Sequence, residues 1–182
     1  MYEKGIGVAR DATIAKSWYK KAADAGNARA MHNLAVLIAE AVGIKPDYAE
    51  AAEWFRKAAQ LGVKDSQFNL AILCARGMGV PQDLGQSWVY FSLAAQQGDS
   101  DAGKKRDEVA VKMDAKALET AQSALAAFHV TPPPAAANEV PAPPGGWDAL
   151  KSSGQLVPSH TPAPTRPLAN GGAPAGKNAT AL

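Results

Sequence analysis

Three similar stretches decide the fold: WYKKAADAG at residues 18–26, WFRKAAQLG at residues 54–62 and YFSLAAQQG at residues 90–98. Each begins 36 residues after the one before it, and no insertion or deletion interrupts the spacing. A constant period of this length is typical of helical repeat proteins, in which each unit packs mainly on its neighbours. The sequence therefore predicts an all-α fold, an α-solenoid of helix-turn-helix units with a 36-residue period.

Each unit contains signals for two helices joined by a glycine turn. Apolar residues at helical spacing in residues 29–40 predict a first helix. After the turn, Asp47 is expected to cap the second helix, with Glu50 completing a capping box, and a glycine is expected to end that helix in a left-handed conformation. The positions that define the repeat are Gly7, Asp11, Trp18, Gly26, Gly43, Asp47, Trp54, Gly62, Gly79, Asp83, Tyr90 and Gly98.

The large side chains divide into those that recur with the period and those that do not. Trp18, Trp54 and Tyr90 recur, so we expect them in the core rather than at a ligand site. Trp88 does not recur, and it is either an exposed interface anchor or a residue packed against the C-terminal helices. Cys74 takes an interior helix position and is expected to be a buried, inert thiol.

Composition predicts three segments along the chain. Residues 1–102 form the repeats, and residues 103–130 form helices that cap the last unit, with Asp114 as a helix cap. Residues 131–182 hold 11 of the 13 prolines and predict a disordered Pro/Ala/Gly-rich tail.

The first repeat is expected to be incomplete, because residue 1 aligns with the end of the first helix in later units. This suggests that the chain belongs to a longer protein or has a misplaced start. A unit without its first helix would leave apolar surface bare around Val8, Ile14 and Trp18.

Charge and composition exclude several classes of partner. The chain has 19 basic and 17 acidic residues, and its only tight basic cluster, residues 104–106, is expected to be a solvated surface, so no nucleic acid is predicted. No stretch approaches the roughly 18 apolar residues of a membrane span, so none is predicted. His32, His129 and His160 lack the spacing of metal ligands, and neither metal nor cofactor is expected.

One local pattern resembles a catalytic motif. Ser17 and Lys20 match the S-x-x-K pattern of penicillin-recognising enzymes, but the next unit has Glu53 and Arg56 at those positions. The pattern is therefore interpreted as one copy of a repeated helix, and no enzyme activity is predicted. A weak cell-wall or penicillin-binding enzyme stays as the catalytic alternative.

The strings YEKGIGVARD, AAEWFRKAAQLG and FSLAAQQGDSDA resemble the Sel1-like repeat family, a relative of tetratricopeptide repeats. The order of repeats, a charged helical region and PPGGWD at residues 143–148 further resembles the periplasmic part of the PodJ family of alphaproteobacterial polar localisation factors. The second resemblance implies a scaffold at a cell pole, on the periplasmic side of the inner membrane, with peptidoglycan as a further candidate partner. Without it, the chain is expected to be soluble and its compartment stays open.

The surface left for function is the one that the first helices of a solenoid expose. The predicted function is a non-catalytic scaffold that binds other proteins or peptides, and the alternative is a repeat protein that binds and inhibits a signalling protein. The predicted binding residues are His32, Asn33, Val36, Glu40, Phe68, Asn69, Ile72 and Arg76.

Overall fold

A computed structural model describes residues 11–40, 46–132, 134 and 137. Gly7, Val8 and Gly43 lie outside the described residues, as does the tail beyond residue 137. The described helices are α1 Ala12–Asp24, α2 Ala28–Glu40, α3 Tyr48–Gln60, α4 Lys64–Arg76, α5 Leu84–Gln96, α6 Ser100–Ala110 and α7 Ala115–Ala126.

The helices pack in chain order. From α1 to α6 each helix packs against the next one, and α7 packs back against α5. The even-numbered helices are the first helices of their units, and the odd-numbered helices are the second helices. The predicted all-α stack of helix pairs is therefore confirmed.

The second helices begin at the predicted aspartates. A carboxylate oxygen of Asp11, Asp47 and Asp83 accepts the amide three residues later at 2.9, 2.9 and 2.8 Å. The predicted capping box at Asp47 is wrong in its second half. The amide of Asp47 donates to the carbonyl of Ile38 at 3.4 Å, while the Glu50 carboxylate lies 3.3 Å from Lys16 Nζ.

The same helices end at the predicted glycines. Gly26, Gly62 and Gly98 have φ angles of 93°, 83° and 85°, which confirms the left-handed caps. At the first of them, the amide of Gly26 donates to the Ala23 carbonyl at 2.9 Å, and the next amide donates to the Ala22 carbonyl at 3.0 Å. The paired alanines of each unit thus supply the carbonyls that close the helix end.

Small and aromatic side chains build the core together. Four alanines on α3, namely Ala51, Ala52, Ala58 and Ala59, are fully buried and let neighbouring helices approach closely. Trp54 and Tyr90 are buried beside them as predicted. Cys74 is also buried as predicted. Desolvation by this burial raises the pKa of its thiol to about 11, so the side chain is protonated at neutral pH.

The prediction that Trp18 lies in the core is wrong, because its side chain is 59% exposed. Trp54, one unit later, is covered by the preceding second helix, whose Lys20 Nζ lies 5.2 Å from the ring centroid. The described residues contain no helix before α1 that could cover Trp18 in the same way. Ile14 is exposed as well, so the predicted bare apolar surface is confirmed at these two described residues.

Ser87 in α5 is a buried polar residue at a position where the earlier units have alanine. Ser87 is fully buried, and its Oγ has no hydrogen-bond partner among the described residues. Ala15 and Ala51 hold the corresponding positions and are buried too.

We expect Ser87→Ala to raise the free energy of unfolding by about 1 kcal/mol, because it removes the desolvation cost of an unpaired hydroxyl. Urea unfolding of both chains, followed by circular dichroism at 222 nm, measures the difference. A variant less stable than the wild type would show that this hydroxyl is satisfied in solution.

The C-terminal part contains two helices beyond the last repeat. Asp114 caps α7 as predicted, since its carboxylate accepts the amide of Ala117 at 2.7 Å. The predicted start of the tail falls in a stretch that contacts the repeats, because the amide of Thr131 donates to the Gln60 carbonyl at 2.9 Å.

Candidate protein-binding surface

The residues predicted to bind partners lie on two neighbouring first helices, α2 and α4. We call them the first-helix surface. None of the eight is fully buried: Glu40 and Arg76 are exposed, and the other six are half-buried. The surface consists of His32, Asn33, Val36, Glu40, Phe68, Asn69, Ile72 and Arg76.

Two rings of this surface are held by the second helix of their own unit. The centroid of the His32 ring lies 5.7 Å from that of Phe55, and the centroid of Phe68 lies 5.4 Å from that of Phe91. The equivalent contact thus occurs in both units. His32 Nδ1 also lies 2.8 Å from Ser66 Oγ on the next first helix. The contacts fix the rings at the edge of the core.

The two asparagines of this surface differ from the rings because no described residue forms a hydrogen bond with their side chains. Neither Asn33 nor Asn69 has a side-chain hydrogen-bond partner within the described ranges, although both are half-buried. Each amide group offers a donor and an acceptor, and the two amides repeat with the unit. This arrangement can hydrogen-bond to the backbone of an extended peptide.

Burial lowers the pKa of His32. Desolvation is the largest cause, the nearby Arg29 acts in the same direction, and Asp65 opposes it. The unfolded chain therefore binds a proton on this ring more readily than the folded chain does, so stability falls as pH drops below about 6.5.

We expect His32→Phe to weaken this acid destabilisation, because Phe68 shows that a phenyl ring fits the equivalent position. The free energy of unfolding of both chains at about pH 7.5 and pH 5.5 measures the effect. An equal loss of stability in both chains would contradict the assignment.

The basic cluster of α6, residues 104–106, has local acidic partners. Lys104 pairs with Asp101 at 3.4 Å and Lys105 with Glu108 at 3.5 Å. Lys104 and Lys105 occupy the positions that Phe68 and Asn69 occupy one unit earlier. The 36-residue period contains this equivalence, but the two lysines were not among the predicted binding residues. The charges of Lys104 and Lys105 are therefore balanced within α6, at repeat positions equivalent to those of the first-helix surface.

Trp88 is half-buried and packs against the core. The structure thus favours the packed alternative over an exposed anchor.

The structure does not bring Ser17 and Lys20 together as a nucleophile and its base. The Ser17 hydroxyl donates to the Ile14 carbonyl at 2.8 Å, and Lys20 Nζ lies 2.6 Å from a carboxylate oxygen of Asp24. Among the described residues there is no group of three or more potential metal ligands, and no helix is long and apolar enough to cross a membrane.

A cleft of about 600 Å³ lies between α5 and α7, and no sequence pattern predicted it. Arg56, Asp83, Tyr90, Thr120 and Phe128 are among its lining residues. Burial raises the pKa of Tyr90, while the neighbouring Arg56 opposes this shift. None of the eight residues of the first-helix surface lines the cleft.

Comparison with protein families agrees with the helix pairs. Residues 1–27, 28–63 and 64–99 each match the Sel1 repeat. The chain belongs to the Sel1 repeat family. In the second matched segment the Sel1 unit consists of α2 and α3, and in the third it consists of α4 and α5. Sel1 repeats are scaffolds that typically serve protein–protein interaction.

Two solved structures are similar to this Sel1 repeat chain. A Sel1 repeat protein from Oxalobacter formigenes is 35% identical with a TM-score of 0.54, over 56% of this chain and 42% of that chain. The protective antigen c5321 of uropathogenic Escherichia coli strains, which has an SLR fold, is 24% identical with a TM-score of 0.58. That alignment covers 86% of this chain and 39% of the antigen, and it supports the fold alone.

This chain therefore spans less than half the length of either protein. A comparison with curated proteins gives no match.

Proposed function

We propose that this chain is a non-catalytic scaffold that binds other proteins or peptides through the first-helix surface. The observation that carries the proposal is the pair of half-buried amides of Asn33 and Asn69, at equivalent positions of neighbouring units, for which the described part of the chain supplies no hydrogen-bond partner. Each amide offers a donor and an acceptor at an accessible position, and the two amides recur with the unit, so together they can hydrogen-bond to the backbone of a bound chain.

The surroundings of these amides suit a peptide ligand. Val36 and Ile72 are half-buried one turn further along each helix and offer apolar contact. Glu40 and Arg76 end the surface with opposite charges, which can set the direction of a bound chain. Amides for the backbone, apolar positions for side chains and charges at the end are the parts that peptide recognition requires.

Site-specific photocrosslinking tests this surface. Benzoylphenylalanine is placed at Val36 or Ile72 in the cells that produce the protein, and at Gln122 on α7 as an exposed control. We expect both test positions to capture the same partner protein and Gln122 to capture none. Capture from Gln122 alone, or of unrelated proteins from the two test positions, would contradict the proposal.

The finer role that we propose is an organising factor of the cell pole or envelope, on the periplasmic side of the inner membrane. Its support is the order of repeats, C-terminal helices and PPGGWD at residues 143–148, which lie outside the described residues. Peptidoglycan is a second candidate partner in this role. A fluorescent fusion is expected at the cell poles. Uniform fluorescence together with a single inhibited signalling partner would favour the regulator instead.

A further inference from the structure

After α7 the chain turns back across the C-terminal ends of earlier second helices. We call the described residues of this stretch, 128–132, 134 and 137, the returning segment. Phe128 meets the ring of Tyr90 edge-on, with centroids 6.4 Å apart. The amide of Thr131 then donates to the carbonyl of Gln60, the last residue of α3, at 2.9 Å. The segment thus passes from α5 to α3.

The segment continues to the end of α1. The ring of Pro134 lies against Gly26, and the side-chain amide of Asn27 lies 3.5 Å from the carbonyl oxygen of Ala137, to which it donates. The amide of Ala137 donates to the Pro134 carbonyl at 2.9 Å, which turns the chain at this point. The segment therefore meets the second helices in the reverse of their chain order.

Two cap glycines each lie against one side chain of the segment, and Val130 stays 53% exposed beside Gly62. A Cβ atom at Gly62 would lie 3.0 Å from Cγ1 of Val130, and one at Gly26 would lie 3.1 Å from Cγ of Pro134. The glycines are equivalent positions of two units, and the side chains are four residues apart. Four residues of extended chain span about 12 Å, which is of the order of the spacing between packed helices.

The proline content of the returning segment suits an extended conformation along these helix ends. Pro132 and Pro134 have no amide hydrogen, so an extended conformation leaves no backbone donor of theirs unpaired. Thr131 is the residue just before this proline run, and its amide is the one that donates to α3. Proline-rich chains are already extended before they bind, which lowers the ordering cost of recognition.

The geometry points to a second peptide-binding surface, formed by the ends of α1 and α3, that takes an extended segment with a branched apolar residue four positions before a proline. We call it the helix-end surface, and its residues are Gly26, Asn27, Gln60 and Gly62. The returning segment is its resident ligand, and a partner's segment of the same pattern binds by displacing it. This surface is separate from the first-helix surface.

The test uses full-length chains and a fluorescent peptide of residues 127–138, AFHVTPPPAAAN, as the probe. Thr131→Pro removes the amide that donates to Gln60, while the control Thr131→Ala keeps it. We expect the peptide to bind the Thr131→Pro chain about threefold to tenfold more tightly than the wild type, because loss of one hydrogen bond weakens the resident segment by about that factor. The Thr131→Ala chain is expected to behave like the wild type.

A second variant, Val130→Gly, keeps the test valid if Thr131→Pro fails to fold. Val130→Gly removes the contact with Gly62, keeps the Thr131 amide, and is expected to tighten peptide binding in the same direction. Equal affinity for all four chains, or binding to none, would overturn the proposal. So would fast hydrogen exchange at the Thr131 amide of the wild type. Asn69→Ala with Arg76→Ala is expected to leave peptide affinity unchanged, so failure of the first-helix surface is distinguishable from failure of this one.

Discussion

Gly79→Ala is expected to lower the free energy of unfolding by about 4 kcal/mol or more, into the range of exceptional single substitutions. Gly79 has a φ of 70°, which a residue with a Cβ atom adopts only at a cost. The added Cβ would also overlap backbone atoms of Tyr48 and Ala49 at the start of α3. Backbone at a helix start cannot yield as a flexible side chain can, so the whole unit must shift.

Gly98→Ala is the matched control, because it shares the left-handed backbone without the overlap. Its φ is 85°, and no atom of the described residues lies within 4 Å of an added Cβ. The control is expected to lose only about 1–2 kcal/mol from the backbone conformation. Urea unfolding monitored by circular dichroism compares the three chains. Similar losses in both variants would mean that Gly79 does not approach α3 as described.

Trp54→Ala is expected to lower the free energy of unfolding by about 3–5 kcal/mol, the usual cost of removing a buried aromatic side chain. Only 7% of Trp54 is exposed, and the ammonium groups of Lys20 and Lys57 lie over its ring. The substitution leaves a cavity between α3 and its neighbours that the rigid helix pairs cannot close.

Trp18→Ala is the control from the same repeat position. Because Trp18 is largely exposed, its removal is expected to cost less than about 1 kcal/mol. The midpoints and slopes of denaturant unfolding give both values. A cost for Trp18→Ala equal to that for Trp54→Ala would show that Trp18 is covered in solution, as the periodic pattern alone predicts.

The parts of the fold that depend on local chemistry could be predicted from the sequence. The aspartate caps and the glycine ends need only a side-chain oxygen or a missing Cβ at the right position, and both recur with the period. The exposure of Trp18 does not follow from the period in this way, because burial at this position depends on a neighbouring helix. The Glu50 carboxylate likewise meets Lys16, which lies on the adjacent second helix.

The two candidate surfaces also differ in how far the sequence predicts them. The first-helix surface follows from counting helical positions, since equivalent residues of α2 and α4 stay accessible in both units. The helix-end surface carries only a partial periodic signal: Gly26 and Gly62 recur with the unit, but the segment that covers them lies beyond the repeats. Val130 and Thr131 reach α3 through contacts between residues about 70 positions apart, which only packing in three dimensions brings together. The high proline content of residues 131–182 predicted disorder there because it excludes helix, yet proline also favours an extended ligand.

The role of the first-helix surface can be measured directly on the partner captured at Ile72. Isothermal titration compares its affinity for the wild-type chain with that for Asn69→Ala combined with Arg76→Ala. A matched control combines Gln122→Ala with Lys116→Ala, which remove an exposed amide and an exposed cation from α7. We expect affinity at least about tenfold weaker for the first-helix variant and unchanged for the control, because truncating binding residues removes contacts with the partner. Unchanged affinity for the first-helix variant would contradict a binding role of this surface.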